Sequence, residues 1–186
     1  MRVRPEESLL LLIDPQEKLV RALWEADRLV RNLRLLIKAS QILEVPILAT
    51  SQYRKGLGEY VPEVLEVLGK EVEIKDKTEF SVFQNPEIAS LIREKARRYL
   101  VLCGAETHIC VYQSALSALE EGYRVIVVGD ATSSRTPENF HYGLARLRDV
   151  GTAVVSTEML VYEWLERAGT PAFKELMPWI KNATQP

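Results

Sequence analysis

Cysteine and histidine are almost missing from this sequence, with two of each among 186 residues. Two cysteines, Cys103 and Cys110, cannot build the disulfide framework of a small secreted domain, and they point to a reducing, cytoplasmic setting. Two histidines, His108 and His141, are too few for an ordinary zinc site. An excess of either charge is also lacking: 24 basic residues stand against 26 acidic ones, for a net −2. That balance argues against a nucleic-acid partner, which calls for a basic face. Arg93, Lys95, Arg97 and Arg98 do cluster, but at the spacing of a solvated helix end. Long apolar runs are missing too. Leu9–Ile13, which follows two N-terminal arginines, stops after five residues, and this predicts neither a secretory leader nor a membrane span.

What remains is ordinary globular material, 47% hydrophobic and 27% charged. The length suits one domain over residues 1–186, with a frayed tail expected at 182–186. Six short apolar runs predict strands at Ser8–Ile13, Pro46–Ser51, Glu71–Lys75, Tyr99–Cys103, Arg124–Val128 and Thr152–Ser156. Several are apolar at every position, as strands covered on both faces require. Helical periodicity fills the gaps. Leu29, Leu33, Leu36, Ile37, Ser40 and Leu43 share one face, as do Ile88, Leu91 and Ile92, and then Phe140, Leu144 and Leu147. The third of these helices opens on Thr136-Pro137, a side-chain cap followed by proline at the first helical position, and Gly151 closes it. Alternating strands and helices predict an α/β fold: a three-layer α/β/α arrangement around a doubly wound, six-stranded parallel sheet.

In such sheets ligands bind beyond the carboxyl ends of the strands, where strand order reverses. Three reactive side chains fall there. Asp14 directly follows the first predicted strand, Lys77 comes two residues after the third, and Cys110 lies a few residues after the fourth. Thr107 reads as a helix cap, which puts Cys110 in the first turn of a helix running towards Gly122. Free N–H groups and the helix dipole favour a thiolate there, and the same N–H groups suit an oxyanion. Local residues alone leave nucleophile and packing residue equally open for Cys110. Asp14, before proline, either starts a turn or takes a thiol proton. Lys77 is either a surface lysine or the thiolate's cation. Cys103, ending an apolar strand, reads as a buried small hydrophobe.

Together these segments resemble the isochorismatase-like cysteine hydrolase family. The matching pieces are Leu12-Ile13-Asp14-Pro15-Gln16, Lys77-Thr78-x-Phe80-Ser81, Gly104-Ala105-Glu106-Thr107-His108-Ile109-Cys110-Val111 and Asp130-Ala131-x-Ser133-Ser134-Arg135. Gln52-Tyr53-Arg54-Lys55-Gly56-Leu57-Gly58 and Pro171-x-Phe173-Lys174-Glu175 are similar to its isochorismatase-domain-containing branch. The resemblance implies an Asp14–Lys77–Cys110 triad and a cis peptide at Ala105–Glu106 that helps aim N–H groups, with those of Cys110, into an oxyanion hole. It further implies hydrolysis of a small molecule's amide or ureido C–N bond through a thioester, and a homo-oligomer, dimeric or higher. Gln16, Gln52, Tyr53 and Phe80 would line the pocket or merely pack loops. His108 would pack or cap the cysteine helix, or touch substrate. Asp130, Ser133, Ser134 and Arg135 would organise a loop or a subunit contact.

One departure stands out. Nicotinamidases of this family carry a metal-binding Asp-x-His and a further histidine after the second strand, whereas Thr50-Ser51-Gln52-Tyr53-Arg54-Lys55 holds no histidine. The expectation is therefore no metal and no other cofactor. Vinyl-ether hydrolysis of the isochorismatase type, which need not use a cysteine, and a catalytically silent oligomeric member are the alternatives within the family. A signalling receiver domain fits less well, since it places an acidic pair at the first strand end and needs no cysteine. Gly56-Leu57-Gly58 lacks the third glycine of a dinucleotide-binding turn.

Overall fold

The computed structural model describes residues 2–184. Its strands are β1 (Ser8–Ile13), β2 (Ile47–Gln52), β3 (Ile74–Lys77), β4 (Tyr99–Ala105), β5 (Arg124–Ser133) and β6 (Ala153–Val155). They form one sheet in the order β3-β2-β1-β4-β5-β6, and every neighbouring pair is parallel. The helices are α1 (Glu17–Val20), α2 (Ala26–Ile42), α3 (Arg54–Leu57), α4 (Pro62–Leu68), α5 (Pro86–Glu94), α6 (Tyr112–Glu120), α7 (Pro137–Asp149), α8 (Thr157–Leu165) and α9 (Pro171–Thr184). Order reverses between β1 and β4, so the crevice lies at their carboxyl ends.

The two helical layers explain the uninterrupted apolar strands. Leu10 and Leu12 of β1, Val101 and Cys103 of β4, and Ile126 and Val128 of β5 pack into the core shared with α2, α4, α8 and α9. Their sequence neighbours Leu9, Leu11, Ile13, Leu100, Leu102, Val125 and Val127 point the other way, into the core shared with α5, α6 and α7. Side chains with local acceptors start the helices. Asn85 accepts from the Ile88 N–H, Thr136 from Asn139 and Ser156 from Met159, and Pro86 and Pro137 occupy first-turn positions.

Several boundaries differ from the sequence reading. The third strand starts and ends later than Glu71–Lys75, because pairing with β2 runs from Ala49↔Ile74 to Gln52↔Lys77; Lys77 is thus the last residue of the strand. The fifth continues past Val128 to Ser133, after a register shift beside Gly104 that lets Gly104 and Ala105 pair with Thr132 and Ser133. The tail expected to fray from Asn182 is helical to Thr184, since Leu176, Ile180 and Ala183 of α9 keep an apolar face against the core. Residues 185–186 lie outside the described residues.

Candidate active site

Asp14 leaves β1 in the left-handed region (φ 50°), a conformation aspartate tolerates, and its N–H donates to the Thr50 carbonyl at 3.0 Å. Its side chain is wholly buried and doubly held. Thr50 Oγ1 donates to Oδ1 at 2.7 Å, and Lys77 Nζ donates to Oδ2 at 2.7 Å. Lys77 reaches there from β3, past β2, where Gln52 is its register partner. Its ammonium also donates to Gln52 Oε1 at 2.6 Å and to the Glu79 carbonyl at 3.2 Å. A lysine has three N–H donors, and all three are engaged. Both charged side chains of the pair have 0% exposure, so each ion depends on the other for the solvation that water no longer gives.

Cys110 arrives from the far side of the switch point. Gly104 (φ +112°) makes that approach possible, because a Cβ there would stand 1.9 Å from the Ile13 carbonyl oxygen. The Ala105–Glu106 peptide is cis. The chain then makes a π-helical turn, Thr107–Val111, ahead of α6, and the Glu106 carbonyl accepts from the Ile109 and Val111 N–H groups. Thr107 does not cap this turn, contrary to expectation. It lies inside the turn with its hydroxyl buried and without a partner, and Glu106 precedes the first turn with no side-chain cap. α7 closes the back of the turn at Gly143, where a Cβ would lie 3.1 Å from the His108 nitrogen.

Cys110 is 6% exposed, and the Asp14 carboxylate lies near enough to act on its thiol. Burial, then the Asp14 carboxylate, push it up to about 12, against the opposing pull of Lys77 and the Glu106 N–H. The expectation of a resting thiolate is therefore corrected: desolvation and a neighbouring anion outweigh the turn's N–H groups and the lysine. Burial likewise raises Asp14, while Lys77, Thr50 and the thiol draw it back down. Cys103, fully buried among hydrocarbon, is raised by burial alone.

The expected pocket residues separate. Gln52 reaches the centre, its Oε1 lying 3.8 Å from Cys110 Sγ while Nε2 donates to the Thr78 carbonyl at 2.8 Å. Gln16 packs loops, the second of the two readings given for it. It is fully buried, its Oε1 accepting from the Gln52 N–H at 2.7 Å and its Nε2 donating to the carbonyls of Gln52 and Gly58, so it fastens the loop after β2 to that after β1. Tyr53 and Phe80 follow Gln52 and Glu79 in the chain with about half their surface exposed. The Glu106 carboxylate turns away from the thiol and accepts from the Arg135 N–H and Nε. His108 Nδ1 pairs with Ser134 Oγ at 2.9 Å, and burial lowers its pKa. Asp130 caps α8 by accepting from the Thr157 N–H and hydroxyl, and the Ser133 hydroxyl donates to the Trp24 carbonyl. Thr50 and the Glu79 carbonyl were not anticipated; Thr50 becomes visible only once β2 is placed beside β1, opposite Ile13. Among the described residues no group of three or more His, Cys, Asp or Glu side chains could hold a metal ion.

The structure is a doubly wound α/β sheet with a cysteine, an aspartate and a lysine converging at its switch point. The isochorismatase domain model matches residues 8–159, and the chain belongs to the isochorismatase family, a superfamily of hydrolases. It is 34% identical to the secreted isochorismatase effector Isc1 of Phytophthora sojae (strain P6497), over 97% of this chain and 88% of that one. It is 35% identical to isochorismatase domain-containing protein 2 of Rattus norvegicus, over 97% and 84%. The MAR1 ribonuclease structure from Caenorhabditis elegans superposes with a TM-score of 0.90 at 32% identity, covering 97% of this chain and 93% of that one. The YcaC gene product of Escherichia coli, described as an octameric hydrolase of unknown specificity, shares the fold, with a TM-score of 0.89 at 22% identity over 98% and 94%. Among the described residues no helix is long and apolar enough to cross a membrane.

Proposed function

We propose that this protein is a cysteine hydrolase that cleaves a non-peptide C–N bond, amide or ureido, of a small molecule through a thioester. One observation carries the reading: the Cys110 sulfur shares its crevice with a buried carboxylate that Lys77 and Thr50 hold in place, the Gln52 oxygen 3.8 Å from the sulfur being bound by the same lysine. The thiol is protonated at rest, so its proton passes to Asp14 as sulfur attacks the carbonyl carbon. The oxygen of the tetrahedral intermediate is held by backbone N–H groups of Glu106 and of the Cys110 turn. Asp14 returns the proton to the leaving nitrogen, the C–N bond breaks, and an acyl–Cys110 thioester remains. Water then gives a proton to Asp14 as it attacks the acyl carbon; the acid leaves and the thiol regains its proton. Lys77 keeps Asp14 ionised and in place rather than touching the substrate, since its three donors are committed.

The depth of the triad supports a small-molecule substrate rather than a polymer, and the half-exposed Tyr53 and Phe80, with Tyr142 at 76% exposure, support a homo-oligomer. The two unpaired cysteines support a reducing compartment, although a secreted relative shows that the family is not confined to one. The test is an ammonia-release screen over small amides and ureido compounds, with acyl–Cys110 sought by intact mass after acid quench. Cys110→Ala is expected to abolish turnover while keeping the fold, and Asp14→Ala to abolish it at a cost in stability, because it leaves the buried Lys77 ammonium unpaired. Undiminished release by Cys110→Ala would remove the covalent mechanism.

A further inference from the structure

The thiol of Cys110 has one hydrogen and two acceptors within reach. One is the Asp14 carboxylate, near enough that it and the thiol shift each other's titration. The other is the Gln52 carboxamide oxygen, 3.8 Å from the sulfur. That same oxygen takes an N–H of Lys77 at 2.6 Å. Gln52 is not placed there casually. Its backbone N–H and carbonyl are both bound by the buried Gln16, and its Nε2 is tied to the Thr78 carbonyl, which orients the amide with oxygen inward. The sequence offered Gln52 as one of several pocket-lining residues; the contacts give it a more specific place, between the nucleophile and the cation that should activate it.

We propose that Gln52 is a positioning residue that restrains the resting nucleophile, its carboxamide oxygen holding the Cys110 thiol hydrogen and one Lys77 N–H until a ligand enters the site. Two effects act in the same direction. A hydrogen bond donated by the thiol stabilises its neutral form, and the negative end of the amide dipole faces the atom that must become an anion. By taking a lysine N–H, the amide also turns part of the ammonium's field away from the sulfur. The charged groups around Cys110 are otherwise few: Asp14 and Lys77 from the strand ends, and on its own turn Glu106, neutralised by Arg135, with His108 beside them. Release of the thiol hydrogen from Gln52 to Asp14 is the step a ligand would have to promote. That last statement rests on the hydrolase reading; the restraint itself does not.

The test compares wild type, Gln52→Met and Gln52→Glu for alkylation of Cys110 by iodoacetamide between pH 7 and 10, read by peptide mass. Methionine keeps the bulk of glutamine and removes the acceptor; glutamate keeps bulk and acceptors and adds charge. At pH 8 the Met variant should react at least about tenfold faster than wild type, and the Glu variant about tenfold slower, the size of a one-unit change in thiol pKa. A change in access alone would leave the two bulky variants alike. Equal rates in the three proteins, or a slower Met variant, would overturn the proposal. If the Met variant does not fold, the Glu variant decides: an unchanged rate overturns it. Loss of amide cleavage from the screen above, with the alkylation differences intact, would sink the hydrolase reading and leave the restraint standing.

Discussion

Replacing Thr50 by valine removes one hydroxyl from a fully buried position and keeps the shape of the side chain. The hydroxyl donates to Asp14 Oδ1 at 2.7 Å, and Thr50 is only 1% exposed, so no water is at hand to replace it. A hydrogen bond to a charged group is worth ~1.5–3 kcal/mol net. It favours ionised over protonated Asp14, and about 1.4 kcal/mol of that preference corresponds to one pKa unit. Asp14 is already raised by burial, and Thr50 is one of the contacts that oppose the rise. Thr50→Val should therefore raise Asp14 further by about one unit. Since Asp14 must be ionised to accept the thiol proton, the acid limb of kcat/KM for the best amide substrate should move up by the same amount. Below the limb the variant would be about tenfold slower, and well above it the two proteins should converge. The assay is a pH profile of ammonia release. An acid limb that stays in place while the variant is uniformly slower would refute the assignment of that limb to Asp14.

Other outcomes follow from the same contacts. Lys77→Met leaves a buried carboxylate unpaired and should cost ~3–5 kcal/mol in urea unfolding. A carboxylate whose folded pKa is raised keeps a proton that the unfolded chain releases, so this variant's stability should fall as pH rises above the ordinary carboxylate range. Adding Asp14→Asn should recover part of the loss, and no recovery would argue against the ion pair as its source. Gly104→Ala should destabilise by at least ~3 kcal/mol, lowering Tm by about 6–12 °C for a chain of this size, because its Cβ meets the Ile13 carbonyl. In wild type, iodoacetamide should label Cys110 about tenfold faster with each pH unit from 7 to 10, the thiol lying up to about 12. Cys103 should stay unlabelled until the protein unfolds; labelling of both at equal rates would contradict the packing described.

Much of the architecture was legible because two-sided burial leaves a plain mark. Leu9–Ile13 and Val125–Val128 read as strands covered on both faces, as they are, and Thr136-Pro137 announces a helix start in two residues. The strand ends were less legible, since pairing partners rather than intrinsic preference decide them. Lys75 and Lys77 look alike in sequence; one is on the surface in ion pairs with Glu73 and Glu87, the other wholly buried on Asp14. That Asp14, Lys77 and Cys110 meet at one sheet edge could be anticipated, whereas the surroundings of the thiol could not. A helix start suggests an anion, but the balance turns on depth and on the neighbouring carboxylate, and neither is visible until the strands are stacked. Gln16 could not be decided for a related reason: a polar side chain two residues after Asp14 can line a pocket or pack loops, and its contacts show that it ties one loop to another.

Gly143 carries a consequence for how this scaffold can change. Helix α7 rests directly on the backbone at His108 and on the methyl of Thr107, with no side chain of its own between them. The rear wall of the Cys110 turn is thus held at the thickness of a bare polypeptide, and a Cβ at 143 would crowd the His108 backbone and the Thr107 methyl, so that the helix or the turn would have to give by a few tenths of an ångström. The segments after β2 and β3, by contrast, carry the half-exposed Tyr53 and Phe80, whose side chains are free of such packing limits. Diversification of substrate choice on this scaffold should therefore be written in those segments, with the helix behind the nucleophile left almost untouched.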